Sequence, residues 1–350
     1  MTSEHPRPRV LVMAPNWLGD AIMALPALAD VRRHFPDAAL TVAARAPVAP
    51  LYGMAAGVEQ VLTLEGGGGL SDRRGRRADA GRLRECQAGV AVLLPNSFAA
   101  AWLARTAGIP ERWGYAADLR RSLLTRAVRR PRRSLHQAAY YQTLVRELGI
   151  ANGPLEPTLS VPPAAADAAR QLLTARGWDG RRPVMAVAPG AAYGTAKRWL
   201  PRHFVRLIEI EARESGLLAV LVGSQGDAET TRWIAGAVDA RTKASVIDLA
   251  GLTTLETLAG VLSVAAVCVS NDSGAMHLAG AVGAPLVALF GPTREYETAP
   301  LVRAGGRSDV LINPVWCRPC MLRECPIDHR CLAGLEPARV AAAVDRMVDG

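Results

Sequence analysis

Short apolar runs at residues 9–14, 40–44, 61–64 and 90–94 are separated by stretches long enough for a helix. Within the runs apolar and polar residues do not alternate, as expected for parallel strands covered by helices on both faces. The sequence therefore predicts successive βαβ units. Residues 151–163, ANGPLEPTLSVPP, carry four prolines beside an Asn-Gly pair and cannot continue a helix, so they read as an interdomain linker. The strand pattern restarts at 184–188, 218–222, 246–248, 266–270 and 286–290, with helices between them at 201–214 and 227–238. A last helix is expected over 336–348. The glycine run Gly66–Gly69 reads as a flexible surface loop. The fold class is α/β, two doubly wound domains in tandem.

A chain of 350 residues, 50% hydrophobic and 21% charged, has material for two cores and too much apolar content for general disorder. No run approaches the roughly 18–20 apolar residues of a membrane span, and MTSEHPRPRV lacks the apolar core of a secretory signal, so a cytosolic chain is expected. The formal charge is +9, and of 41 basic residues only Lys197 and Lys243 are lysine. Arginines concentrate at Arg73, Arg74, Arg76, Arg77, Arg82 and Arg84, then at Arg120, Arg121, Arg126, Arg129, Arg130, Arg132 and Arg133. Such a surface reads either as a soluble arginine-rich face or as one that attracts anionic lipid or an acidic substrate. Aromatic residues are scarce, at 5%, which argues against nucleic acid.

In doubly wound sheets ligands sit beyond the carboxyl ends of the strands, so the loops there are where chemistry is sought. After the first run comes Asn16-Trp17-Leu18-Gly19-Asp20. The G-x-G-x-x-G turn of a nicotinamide-binding domain is absent; Gly19 closes the turn, and Asp20 is either a carboxylate aimed at the crevice or an ordinary helix cap. The second domain's first run ends in PGAAYGTAKRW. Its glycines let backbone amides approach an anion, Thr195 offers a hydroxyl, and Lys197 and Arg198 supply charge, in outline a diphosphate cradle. The G-K-[ST] ending of a Walker loop is missing. In an arginine-rich chain, Lys197 reads as a compact point charge or as solvated decoration. Residues Asp272, Ser273 and Gly274 lead into a helix whose N-terminus suits a phosphate, with His277 one turn in, either facing that phosphate or buried on a carbonyl. Asp227, after another strand, sits where a carboxylate commonly binds a nucleoside.

Four of six cysteines crowd the C-terminal segment, Cys317-x2-Cys320-x4-Cys325-x5-Cys331, with His329 beside them. Zinc, an iron–sulfur cluster or simply reduced thiols are the alternatives, and the spacing fits neither a zinc ribbon nor a ferredoxin. Cys86 and Cys268 read as isolated core residues. The loops carry no D-x-D pair, so no divalent ion and no cofactor is expected.

The segments NWLGDAIMALPAL, PGAAYGTAKRW, SNDSGAMHLAGAVGAPLVALFGPT and CRPCMLRECPIDHRC together resemble the ADP-heptose:lipopolysaccharide heptosyltransferases, in the same order and over nearly the whole chain. The NWLGD form and the cysteine cluster resemble the heptosyltransferase II branch, which adds the second inner-core heptose. The resemblance implies a GT-B fold of two Rossmann-like domains facing across a cleft. Residues 1–160 would bind the acceptor, residues 161–334 the nucleotide-sugar, and the helix 335–350 would cross back onto the first domain. It also implies Asp20 as the catalytic base. Lys197 would act on the diphosphate, with Thr195, Arg198, Asp227, Asp272, Ser273, Gly274 and His277 on the donor and Asn16, Trp17 and Gly19 on the acceptor side. Ala192 and Tyr193 stand where the family's central loop is rich in hydroxyls, so Thr195 would take part of that role. The implied partners are ADP-heptose, a lipid-linked inner-core acceptor and, peripherally, the cytoplasmic face of the inner membrane. Rival readings are transfer to a different core acceptor, as by heptosyltransferase I or III, and a sugar-nucleotide epimerase of the same fold.

Overall fold

The computed structural model describes residues 7–66 and 72–349, so part of the Gly66–Gly69 run lies outside the described residues. The chain divides into two compact units, Met1–Leu155 and Glu156–Gly350. In the first unit the strands are β1 (Arg9–Met13), β2 (Ala39–Arg45), β3 (Gln60–Leu64), β4 (Val90–Leu93), β5 (Glu111–Tyr115) and β6 (Arg126–Val128). Between and after them run α1 (Leu18–Met23), α2 (Leu25–His34), α3 (Ala49–Gly53), α4 (Arg73–Glu85), α5 (Phe98–Thr106) and α6 (Gln137–Glu147). All pairings are parallel, in the order β3-β2-β1-β4-β5-β6. Alternate side chains of the central strands, Leu11 and Met13 with Ala91 and Leu93, pack beneath Leu83 of α4 and Ala101 and Ala104 of α5. On the opposite face α2 packs against α6.

The second unit opens with α7 (Pro163–Ala175) and repeats the plan with β7 (Val184–Ala188), α8 (Pro201–Glu214), β8 (Leu218–Leu221), α9 (Ala228–Ala237), β9 (Val246–Asp248), α10 (Leu255–Val264), β10 (Val267–Asn271), α11 (Gly274–Val282), β11 (Leu286–Phe290), α12 (Glu295–Thr298), β12 (Ser308–Ile312), α13 (Arg330–Ala333) and α14 (Pro337–Asp349). The order β12-β11-β10-β7-β8-β9 is again parallel and repeats the first unit's connectivity. The strand order thus reverses between β1 and β4 in one unit and between β7 and β10 in the other. Loops diverging at such a switch point leave a crevice beyond the strand ends. Both chemistry-bearing segments of the sequence emerge there.

Three strands, β5, β6 and β12, were not foreseen. ERWGY, RAV and SDVLI are short or polar-rich, and β6 and β12 lie at sheet edges, where half-exposed strands need no continuous apolar run. The last helix also differs from what the resemblance implied. Its buried Val340, Ala343 and Val344 join Phe204, Leu207 and Ile208 of α8 in the second unit's core, so α14 belongs to that unit's own layer. No helix among the described residues is long and apolar enough to cross a membrane.

Candidate active site

In the second unit the loop after β7 carries residues 189–199 to the start of α8, and Asn271 at the end of β10 fixes both its ends. The Asn271 Nδ2 donates to Pro189 O at 2.7 Å, and its Oδ1 accepts from Trp199 N at 3.0 Å. The indole of Trp199, itself buried, donates to Leu335 O at 3.0 Å. A short 3-10 turn at Thr195–Lys197 then brings Lys197 across the switch point, where its Nζ donates to Asp272 Oδ2 at 2.6 Å. The same oxygen accepts from Thr293 Oγ1 at 2.6 Å, from the loop after β11. Asp272 is 5% exposed and the Lys197 side chain 13%. An ion pair this dry is costly to break from one side, because the remaining charge is left without solvent or partner. The Lys197 ammonium also lies 4.9 Å from the Tyr193 ring centroid, on its face.

Ser273 is the N-cap residue of α11, Gly274 its first helical residue, and His277 is buried one turn in. The Ser273 side chain makes no capping bond to α11; its hydroxyl lies 3.2 Å from that of Ser270. The Ser273 side chain thus leaves the first amides of α11 uncapped, directly after the Asp272 that holds Lys197, a disposition that favours an anion. Thr195 is exposed on the turn. Arg198 donates to Ala191 O at 3.4 Å and stands 3.9 Å from Asp227 Oδ1. Asp227 is engaged within its own turn, its Oδ2 accepting from Ser224 N at 2.9 Å and Ser224 Oγ at 2.7 Å in a reciprocal capping box. A Cβ on Gly190 would fall 2.3 Å from the Asp227 carboxylate, so a side chain there would have to displace that carboxylate from its bonds to Ser224.

In the first unit Asp20 lies in the first turn of α1, whose N-cap is Trp17; the reading of Asp20 as the cap residue is therefore not what the chain adopts. Asn16 and Trp17 are exposed, the latter by 64%, while Gly19 and Asp20 are half-buried. Tyr141 of α6 presents its hydroxyl at 3.5 Å from Asp20 Oδ1, a long contact. Burial, and then the negative charge of Asp20, hold both Tyr141 and Tyr52 of α3 above the usual phenol range, so both phenols stay neutral. The Tyr52 hydroxyl is buried without a hydrogen-bond partner. Beside them Asn96, just after β4, donates to Tyr140 Oη at 2.8 Å. The segment after β1, α3 and α6 thus bring two neutral phenols to one carboxylate. The tyrosines escaped sequence reading because Tyr141 is 121 residues from Asp20.

The arginine clusters resolve into different parts. Arg120 is fully buried rather than displayed: it donates to Tyr115 O at 2.9 Å and to Pro95 O and pins the loop after β4, and burial pushes its guanidinium down to about 10. Arg82 pairs with Glu65 at 2.8 Å on α4. Arg129, Arg132, Arg133 and Arg146 instead line a concavity of about 400 Å³ after β6. Among the described residues no group of three or more His, Cys, Asp and Glu is placed to hold a metal ion, and all six cysteines are free thiols.

Comparison with known proteins places this arrangement. The sequence profile of glycosyltransferase family 9 (heptosyltransferase) matches residues 76–330, which include the Lys197–Asp272 pair but not Asp20. Lipopolysaccharide heptosyltransferase 2 of Salmonella typhimurium is 32% identical over 303 residues, 84% of this chain and 85% of that one. Lipopolysaccharide heptosyltransferase 1 of Pseudomonas aeruginosa is 26% identical over 97% of this chain and 98% of that one. The solved structure of E. coli ADP-heptose lipopolysaccharide heptosyltransferase II superposes with a TM-score of 0.82 at 28% identity, covering 97% of this chain and 98% of that one. With a profile match over most of its length, the chain belongs to glycosyltransferase family 9, the heptosyltransferases.

Proposed function

We propose that the chain transfers heptose from ADP-L-glycero-β-D-manno-heptose to the first heptose of the lipopolysaccharide inner core, with inversion at the anomeric carbon. The observation that carries the donor half is the dry ammonium of Lys197, held by Asp272 beside the first amides of α11 at the β7/β10 switch point. In the reaction the anomeric C–O bond to the diphosphate breaks and its electron pair leaves with ADP. The acceptor oxygen bonds to the anomeric carbon and gives up its proton. Lys197, Arg198 and the α11 amides stabilise the growing charge on ADP, each such preorganised contact being worth roughly 3–4 kcal/mol. Asp20 receives the proton. As the sugar takes on oxocarbenium character the acceptor hydroxyl becomes acidic only late, so a carboxylate suffices to receive its proton. Thr195, Ser273, Gly274 and His277 then serve the donor, and Asn16, Trp17 and Gly19 the acceptor. For Asp227 a contact to the nucleoside requires that it share its carboxylate with Ser224. The exposed arginines after β6 favour peripheral binding to an anionic membrane, on its cytoplasmic face, where the acceptor's phosphates and carboxylates lie.

The test is to incubate the purified protein with ADP-heptose and acceptor lipids bearing zero, one or two heptoses and to weigh the products. Mass gain only on the one-heptose acceptor is expected. Gain on the bare or the two-heptose acceptor moves the assignment to another branch, and isomerised nucleotide-sugar without acceptor favours an epimerase. Asp20→Asn should abolish turnover while ADP affinity stays nearly intact; surviving turnover refutes Asp20 as base.

A further inference from the structure

We propose that Arg318, on the cysteine-bearing segment, is a positioning residue for the Lys197 ammonium, acting through Thr293 and Asp272. The proposal rests on the reading of Lys197 as the diphosphate contact and adds a segment to which that reading gives no role. A lysine side chain has a long, freely rotating stem, so a point charge useful to a diphosphate must be fixed by its neighbours. Lys197 is fixed by one carboxylate oxygen of Asp272, and that oxygen is in turn held by the Thr293 hydroxyl.

Thr293 sits in the loop after β11, which has little structure of its own to define it. Arg318 supplies the definition. Its Nε donates to Gly291 O at 2.7 Å, and one terminal nitrogen reaches Thr293 O at 3.0 Å and Glu295 Oε2 at 2.6 Å. The Arg318 side chain is only 8% exposed, and a planar fork spanning two carbonyls and a carboxylate fixes a loop in a way an ammonium cannot. Met321 N donates to Pro292 O at 3.0 Å and continues the attachment.

The same segment grips the Lys197 loop from its other side. Tyr193 Oη donates to Met321 O at 2.9 Å, and Ala196 N donates to Arg323 O at 2.9 Å. The Arg323 guanidinium lies 5.3 Å from the centroid of the same Tyr193 ring that Lys197 faces. A Cβ on Gly194 would meet Arg323 O at 2.2 Å, so the two backbones are in direct contact. Residues 318–323 therefore strap the loop after β7 to the loop after β11. The Lys197–Asp272–Thr293 chain joins the same two loops.

The test is ADP binding by calorimetry together with steady-state kinetics in ADP-heptose, on the full chain. Thr293→Val deletes the hydroxyl at nearly constant shape and Thr293→Ser keeps it. Arg318→Gln deletes the fork, and Arg318→Lys keeps only the charge. A hydrogen bond to a charged group supports an expected loss of about tenfold in ADP affinity for Thr293→Val and Arg318→Gln, an intermediate loss for Arg318→Lys, and a change under about twofold for Thr293→Ser. The rise should fall on KM for the nucleotide-sugar more than on kcat. Thr293→Val that binds ADP as the parent does, or Thr293→Ser that is as weak as Thr293→Val, overturns the proposal. Lys197→Ala is the separate control: if it too binds ADP normally, the donor reading fails; if it alone loses ADP, only the strap inference does.

Discussion

Glu211 on α8 should be worth more to the second unit as a glutamine, and only above acid pH. Its side chain is 1% exposed, neither carboxylate oxygen has a hydrogen-bond partner, and the seam between α8 and α14 brings Asp345 near. Burial first, then the negative charges of Asp345 and Glu214, raise the carboxyl from 4.5 to about 7; the nearby Ser215 hydroxyl offsets this only in part, because it donates to Asp345 Oδ1 at 3.1 Å. The sign follows from proton counting. Below pH 4.5 the group is protonated in both states and costs nothing through ionisation. Between 4.5 and about 7 the unfolded chain releases the proton that the folded one keeps, so stability falls as pH rises. Above about 7 the whole penalty is present, and a shift of this size amounts to about 3 kcal/mol.

Glu211→Gln removes the ionisation and keeps the shape. It should stabilise the second unit by up to about 3 kcal/mol at pH 8 and by under about 1 kcal/mol at pH 5. Because the chain has two units, urea unfolding should be followed by peptide-resolved hydrogen exchange in α8 and α14 rather than by a global signal. A gain of equal size at both pH values would mean that packing rather than charge burial is at work. No gain at pH 8 would mean that the carboxylate is solvated, and the argument would be refuted.

Thiol reactivity should follow exposure. Cys320, exposed on the strap, should be the first alkylated by iodoacetamide, and buried Cys268, whose thiol burial pushes up to about 12, should be labelled only on unfolding; early labelling of Cys268 by peptide mass mapping would contradict its packing. If the concavity lined by Arg129, Arg132, Arg133 and Arg146 faces anionic headgroups, binding to phosphatidylglycerol vesicles should weaken as salt rises from about 50 to 500 mM and should weaken further in a triple glutamine variant of Arg129, Arg132 and Arg133. Salt-insensitive binding, or an unaffected triple variant, would count against it.

What the sequence disclosed about the fold was the part that hydrophobic burial alone determines. The nine strands expected from continuous apolar runs include every inner strand except β5, and those flanking the two switch points are covered on both faces. β6 and β12 are illegible because they are half-exposed edge strands, and β5, although inner and buried over Trp113–Tyr115, because ERWGY carries no continuous aliphatic run. The packing of α14 was misjudged for another reason. An amphipathic helix declares that it has a partner face without declaring which sheet supplies it.

The site divides the same way. Residues that a local segment can declare, Lys197 in a glycine-bearing loop and Asp272 before a helix, were legible one by one. Their union was not, because it spans 75 residues and needs the β7/β10 switch point to close it. Thr293 and Arg318 were invisible as site residues, since nothing in FGPT or CRPC says that a hydroxyl and a guanidinium will meet the same loop. The choice of lysine at position 197 shows how far composition can be pushed. Lys243, the chain's other lysine, is exposed at a surface turn, so the rarity of lysine does not by itself mark function. The surroundings distinguish the two. At position 197 a compact ammonium reaches a single carboxylate oxygen while its remaining hydrogens stay available beside the ring of Tyr193. A guanidinium there would engage Asp272 with its fork and direct less of its charge toward a diphosphate, so Lys197→Arg should weaken donor binding although charge is conserved.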